Sequence, residues 1–305
     1  MYIVTGASGH IGNNLVRILD EKTKIILRKK DPITDSFSCE KAYGNLLDRS
    51  FLDANINQGD IIIHLAGIID MKNKDYDRSY ETNVTMTKYI TDIAIKKGCR
   101  LVYVSSSDVL MKKNGVFIVD ENQKSIYAKT KAIATNYVLS KMNEGLNGII
   151  LYPTAVVGPH DYKPSKTGEQ INKVHHHKFL FYVRGGYNFI DVLDVCQAIK
   201  KAADSGIKDD IIISGYPYKI GELFKHIGKL TQRRKYLICI PRWLAKASTV
   251  IMRNFTPTMI DVVSRPIDFD NSKMKQHLLH ELTPFDETLQ NTINFFNGDD
   301  KYGET

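Results

Sequence analysis

The chain has 305 residues, of which 43% are hydrophobic and 25% charged, and a formal net charge of +8. That composition is ordinary for a globular protein of one or two domains with a core of real size. The cations are scattered along the chain without interleaved aromatics, which speaks against a nucleic-acid partner. Cys39, Cys99, Cys196 and Cys239 are far apart and form no paired motif, so neither a disulfide framework nor a metal site is expected. The first residues run straight into a strand with no basic leader region, and no apolar run approaches the roughly 18 residues that cross a bilayer. The expectation is a cytoplasmic chain with reduced thiols and no stable membrane insertion.

In chain order, Tyr2–Thr5 is strand-like and is followed by a helical pattern over Ile11–Leu19. Ile25–Leu27, Ile61–Leu65, Leu101–Val104 and Ile149–Leu151 are short β-branched runs of the kind buried on both faces of a sheet. Amphipathic segments separate them, at Asn13–Asp20, Tyr80–Lys97 and Ile126–Lys141, and Val192–Ala203 leads into a further strand at Ile211–Ser214. This rhythm predicts an α/β fold, a Rossmann-type doubly wound parallel sheet with helices on both faces. Residues 1–157, completed by about 187–215, would form the dinucleotide-binding domain. The more irregular segments 158–186 and 216–296 would form a smaller substrate-binding region, with 297–305 a polar tail.

Gly6, Gly9 and Gly12 lie at three-residue spacing between the first strand and the first helix. In that context Gly6 permits a sharp turn, Gly9 a close backbone approach to a pyrophosphate, and Gly12 tight helix–sheet packing. The helix N-terminus then faces the phosphate charge. After the next strand comes Arg28-Lys29-Lys30-Asp31-Pro32, with no acid at the strand tip to bind a ribose 2′-hydroxyl. Arg28 can instead fork a 2′-phosphate, which favours NADP(H), with NAD(H) possible.

Tyr127 and Lys131 are four residues apart and share one helix face. An ammonium about 4 Å from the phenol would favour tyrosinate by about 4 kcal/mol at an effective dielectric of about 20. That would lower the tyrosine toward neutral pH and suit it to acid–base work on a carbonyl or alcohol. Upstream, the strand Leu101–Val104 ends in Ser105-Ser106-Ser107, where a sheet opens into its crevice. Ser106 is the chosen catalytic hydroxyl and Ser107 the fallback; one of the three serines is expected to cap the following turn.

These residues carry a resemblance to the extended short-chain dehydrogenases/reductases, in the NAD-dependent epimerase/dehydratase group. It spans roughly residues 2–215 through Thr5–Gly12, His64-Leu-Ala-Gly67, Asn83-Val84, Val102–Ser107, Tyr127–Lys131, Tyr152–Pro159 and Phe189–Val195. The resemblance implies a catalytic set of Ser106, Tyr127 and Lys131, with Asn83 supporting a proton relay. It implies cofactor contacts from Gly6, Ser8, Gly9, His10, Ile11, Gly12, Asn45, Leu46, Leu65, Ala66 and Gly67. Tyr127, Lys131, Pro153, Thr154, Ala155 and Val156 would complete them on the nicotinamide side. Asn45 stands where an aspartate is usual near the adenine, and Tyr152 replaces a common arginine.

The resemblance further implies a small-molecule substrate and a possible homodimer through the helices at Tyr80–Lys97 and Ile126–Lys141. The basic loop and a proline-started helix from Pro241 are closer to the dihydroflavonol-reductase or sterol-dehydrogenase-like branch, which implies oxidoreduction of a carbonyl/alcohol pair. A nucleotide-sugar epimerase or dehydratase with tightly held NAD is the second reading, and a non-catalytic NAD(P) sensor the third. Outside these motifs, His175-His176-His177 reads as a solvated or cleft-lining loop. The helix over 241–253 reads as core-facing, with a lid or a weak membrane contact as its functional alternatives.

Overall fold

The computed structural model describes residues 1–19, 22–70, 73–248, 260, 261, 263 and 267–298. Seven parallel strands form the main sheet: β1 (Tyr2–Thr5), β2 (Thr23–Leu27), β3 (Glu40–Tyr43), β4 (Ile61–His64), β5 (Arg100–Val104), β8 (Gly148–Pro153) and β12 (Asp210–Ile213). Their spatial order is β12-β8-β5-β4-β1-β2-β3, so the winding reverses between β1 and β4. The fold is therefore the doubly wound α/β sheet expected, and its switch point locates the ligand crevice at the C-terminal ends of β1 and β4.

Alternate residues of each strand enter two separate cores. Val4, Ile25, Ile63, Val102, Val104, Ile149 and Leu151 pack with helices α1 (His10–Ile18) and α8 (Val192–Asp204). Ile3, Ile26, Ile62, Leu101, Tyr103 and Ile150 pack on the other face, with α3 (Arg49–Asn55), α5 (Met86–Lys96) and α6 (Ile126–Asn143). Period-two alternation with both faces apolar is what a strand covered on both sides requires. The edge strand β3 escaped the sequence reading because Glu-Lys-Ala-Tyr has no apolar run and only one covered neighbour, β2.

The expected helix Tyr80–Lys97 is three pieces: α4 (Tyr76–Tyr80), one π-helical turn (Glu81–Thr85) and α5. The inserted turn carries Asn83. A third core gathers Val157, Ile171, Val174, Leu180, Phe189, Leu223, Phe224, Ile227, Phe285, Leu289 and Ile293. It is built by α7 (Lys166–His176), α9 (Ile220–Leu230) and the helix Phe285–Asn297, over a small sheet of β9 (Ala155–Val157), β11 (Gly186–Asp191) and β13 (Tyr216–Lys219). Strands β10 (Phe179–Tyr182) and β14 (Tyr236–Cys239) form a parallel pair beside it, and β6 (Leu110–Lys113) and β7 (Val116–Val119) a hairpin.

Two expectations change here. His175 and His176 end helix α7 instead of forming a loop, and His175 is buried. The helix from Pro241 covers Arg242–Ser248 and is not core-facing: Trp243 is 71% exposed and Leu244 45%. Residues 249–253 of that expectation and residues 299–305 of the polar tail lie outside the described residues. Among the described residues no helix is long and apolar enough to cross a membrane.

Candidate active site

The turn between β1 and α1 is defined by contacts that admit no side chain. Gly6 has a φ of +79°, and a Cβ there would sit 2.7 Å from the Ala66 amide nitrogen. A Cβ on Gly12 would sit 2.2 Å from the Gly6 carbonyl oxygen. Gly9 differs: it is exposed, and its Cβ would meet only the Gly6 oxygen, at 3.3 Å. Gly9 is also the N-cap of α1, with no side-chain cap and no acid in the first turn. A helix N-terminus with free amides and an unobstructed glycine in front of it is a cradle for a pyrophosphate. The residues present therefore fit a dinucleotide.

Around this cradle the expected cofactor residues fall into different classes. Ser8 and Ile11 are partly buried, Ile11 against the core. His10 Nε2 donates to the Pro159 carbonyl oxygen at 3.0 Å, and burial lowers its pKa. Leu65 and Ala66 are half-buried and Gly67 exposed, one strand over from Gly6. Asn45 is exposed and makes a local turn, accepting from the Leu47 amide at 3.0 Å. Leu46 is buried in the second core, so only its backbone is available. Pro153 and Thr154 are buried, and the Thr154 hydroxyl donates to Asn188 Oδ1 at 2.9 Å. Ala155 and Val156 are half-buried and pair with β11.

At the tip of β2, Arg28, Lys29 and Lys30 are exposed. The nearby acid Asp31 is committed elsewhere: it caps the short helix α2 (Pro32–Asp35) and pairs with Lys163 at 2.6 Å. Its carboxyl is correspondingly held below the usual carboxylate range despite partial burial.

Across the crevice, Ser106 follows β5 and Tyr127 opens α6. Ser106 Oγ accepts from the Asp108 amide at 3.1 Å, and its side chain lies close enough to the Tyr127 phenol to act on its titration. Ser106 thus serves as the turn cap beside Tyr127, and Ser105 instead pairs with Thr135 at 2.7 Å. The electrostatic expectation for this pair is overturned. Lys131 is buried and donates to the Val104 carbonyl at 2.9 Å, with Nζ 4.3 Å from the Tyr103 ring centroid. The charge that acts on Tyr127 is the Asp108 carboxylate, and together with desolvation it raises the phenol above its ordinary value. Tyr127 is held firmly protonated. Desolvation lowers Lys131 to about 7.

Asn83 does not face open space. Its Oδ1 accepts from the Ile68 amide at 2.8 Å, while Nδ2 donates to the Ile68 carbonyl and the Thr130 hydroxyl, both at 3.0 Å. The π-turn sets this amide between the loop after β4 and helix α6, as such turns do at functional sites. It clamps the two walls of the crevice together.

Sequence reasoning missed the buried polar relay beneath. Thr87 Oγ1 donates to the Asn83 carbonyl at 2.7 Å and so accepts from His64 Nε2 at 3.0 Å. His64 Nδ1 then accepts from Thr5 Oγ1 at 2.7 Å, and that oxygen accepts from the Ala66 amide at 3.3 Å. Every partner is satisfied only by a neutral imidazole. Burial and the Lys131 charge accordingly lower His64 to about 3. A second missed cluster joins Asn13, Asn14 and His10 on α1 to Pro159 and His160. The only sequence signal for either was a polar residue beside an apolar run.

The chain is 29% identical to sterol demethylase protein B of Methylococcus capsulatus, over 78% of this chain and 77% of that protein. It is 25% identical to a putative dihydroflavonol 4-reductase of Synechocystis, over 97% and 94% of the two chains. The solved structure of gox2253 superposes with a TM-score of 0.85, at 24% identity and 99% coverage of both chains, and so shares the fold. Residues 2–215 match the NAD-dependent epimerase/dehydratase family. The chain is an enzyme of that family.

Proposed function

We propose that this enzyme is an NADP(H)-dependent oxidoreductase acting on a carbonyl/alcohol pair, with Tyr127 as proton donor and Ser106 as the hydroxyl that polarises the substrate oxygen. The observation that carries the reading is Ser106 beside the Tyr127 phenol at the end of β5, two strands from the glycine cradle. When bound, the cofactor supplies or accepts a hydride at nicotinamide C4. A phenol held protonated by burial and by Asp108 suits the reductive direction, in which the developing alkoxide needs a proton. Lys131, one helical turn on, is buried with a pKa near neutrality, and in this reading it holds a ribose hydroxyl. Asn83 and the His64 relay position the loop at 65–68 against α6.

Arg28 supports the preference for NADP(H). Among the described residues it has no ion pair or hydrogen bond of its own, and Lys163 occupies the one nearby acid. A guanidinium free to fork a 2′-phosphate, without a carboxylate to repel it, favours the phosphorylated cofactor. Titration of NADPH against NADH tests this. NADPH should bind at least about tenfold more tightly, and Arg28→Ala should remove that advantage while sparing NADH. Equal affinities unaffected by the substitution would overturn the cofactor assignment. NAD retained through purification would favour the epimerase or dehydratase reading.

A further inference from the structure

The parallel pair β10 and β14 turns large apolar side chains outward. Phe179 pairs with Tyr236 and Phe181 with Ile238 across the ladder, and the intervening Leu180 and Leu237 face the third core. The outward four are exposed, both phenylalanines at 63%. Phe179 and Tyr236 stack at 5.2 Å, offering a contiguous face with no polar residue in the ladder's outer row. The chain then continues through Ile240, whose amide donates to the Tyr182 carbonyl, directly into the helix bearing exposed Trp243 and Leu244. A surface strand normally presents polar residues to water, so an apolar row of this kind marks a contact surface.

The surroundings of this face are cationic. Residues 170–190 contain three Lys or Arg and residues 223–248 seven, with no Asp or Glu in either segment. Those ten charges exceed the net +8 of the whole chain, so the rest of the molecule is slightly acidic. The cations that read as scattered in sequence thus converge in the fold. Lys178 Nζ and Arg234 Cζ lie 5.3 and 5.2 Å from the Tyr236 ring centroid. Lys225, Lys229, Arg233, Arg234 and Lys235 line one shallow pocket next to β14. Among the described residues Lys178, Lys225, Lys229, Arg233 and Arg234 have no acidic partner. Lys235 is bonded to the His175 and His177 carbonyls, and Lys246 pairs with Asp261 at 2.6 Å.

We infer that this face docks the enzyme peripherally on an anionic phospholipid bilayer. Phe179, Phe181, Ile238, Trp243 and Leu244 enter the headgroup–acyl boundary, and the cations bind lipid phosphates. Symmetrical pairing of two copies through the same face would set these cations against each other. A nucleic acid would use the cations and the rings, yet it gains nothing from Ile238 and Leu244. A bilayer uses all three classes of side chain. The surface also connects to the crevice: Asp261 bridges Lys246 to Lys124, the latter 3.8 Å away and three residues before Tyr127.

Trp243 is the chain's single tryptophan, so its emission reports the contact directly. The full chain is mixed with vesicles of phosphatidylcholine alone or of phosphatidylcholine with phosphatidylglycerol, and followed by co-sedimentation and fluorescence. Only the anionic vesicles should shift the emission to the blue and sediment the protein, and added salt should weaken binding. Phe179→Ser with Phe181→Ser, and separately Arg233→Glu with Arg234→Glu, should each lower binding at least about tenfold. Both variants should keep the parent's circular dichroism and NADPH affinity. The inference fails if neither vesicle binds, if binding ignores both variants, or if single-stranded RNA displaces the vesicles from the same residues. It also fails if sedimentation shows a dimer that the phenylalanine variant dissolves.

Discussion

The glycine turn after β1 and the ladder of β10 with β14 are opposite solutions to what lies against a strand. At the turn, backbone packs on backbone so closely that Gly12 has no room for a methyl group. At the ladder, two phenylalanines are 63% exposed to water. The first region is closed by its own fold and leaves a gap only at Gly9. The second shows apolar residues on both faces, like the strands of the central sheet, yet only one face is covered. Apolar alternation therefore states which side chains can be buried, and the neighbours decide which are.

Substitutions can press on this contrast, beginning with the crevice. Tyr127→Phe should lower turnover by about 10²- to 10⁴-fold with NADPH affinity unchanged, and steady-state kinetics with a carbonyl substrate would show it. Turnover close to the parent's would remove Tyr127 from the chemistry. Lys131 provides a second, pH-linked handle. Its pKa falls from 10.5 to about 7 on folding, so between those values the unfolded chain holds a proton that the folded chain has released. Stability should rise with pH across that window, by at most about 1.4 kcal/mol per unit. Lys131→Met should flatten the slope in denaturant titrations at pH 7 to 10; an unchanged slope would mean that Lys131 stays charged when buried.

Gly12→Ala should cost about 1–3 kcal/mol or more of stability, because all three obstructing atoms are backbone. Gly9→Ala should melt close to the parent and show its defect in NADPH binding instead. Equal losses of Tm at the two positions would erase the distinction between a packing glycine and a ligand glycine. The smallest effect is expected on the ladder side. Trp243→Ser should change stability by no more than about 0.5 kcal/mol, since the indole is mostly in water already. A larger loss would place that helix within the fold's own core.

Much of this was legible along the chain because it depends on local steric or periodic rules. β-Branched runs at Ile61–Ile63 and Leu101–Val104 announce buried strands, and three glycines at one turn announce a close approach. Tyr127 and Lys131 share a helix face by geometry alone. Their electrostatics did not follow from spacing, because the four-residue offset is silent about χ angles and about Asp108. The His64 relay was hidden for a related reason: Thr5, His64 and Thr87 meet only after β1, β4 and α5 pack.

Taken by itself, the sequence determined the doubly wound sheet, the glycine cradle and the identity of the polar groups brought to its edge. These follow from backbone sterics and from the two periodicities of helix and strand. Only the tertiary structure decided that Tyr127 is kept protonated, that Asn83 clamps the crevice walls and that the cations converge beside an uncovered apolar ladder. Burial, charge and hydrogen-bond partnership are properties of groups distant in sequence, and they exist only once the chain has brought those groups together.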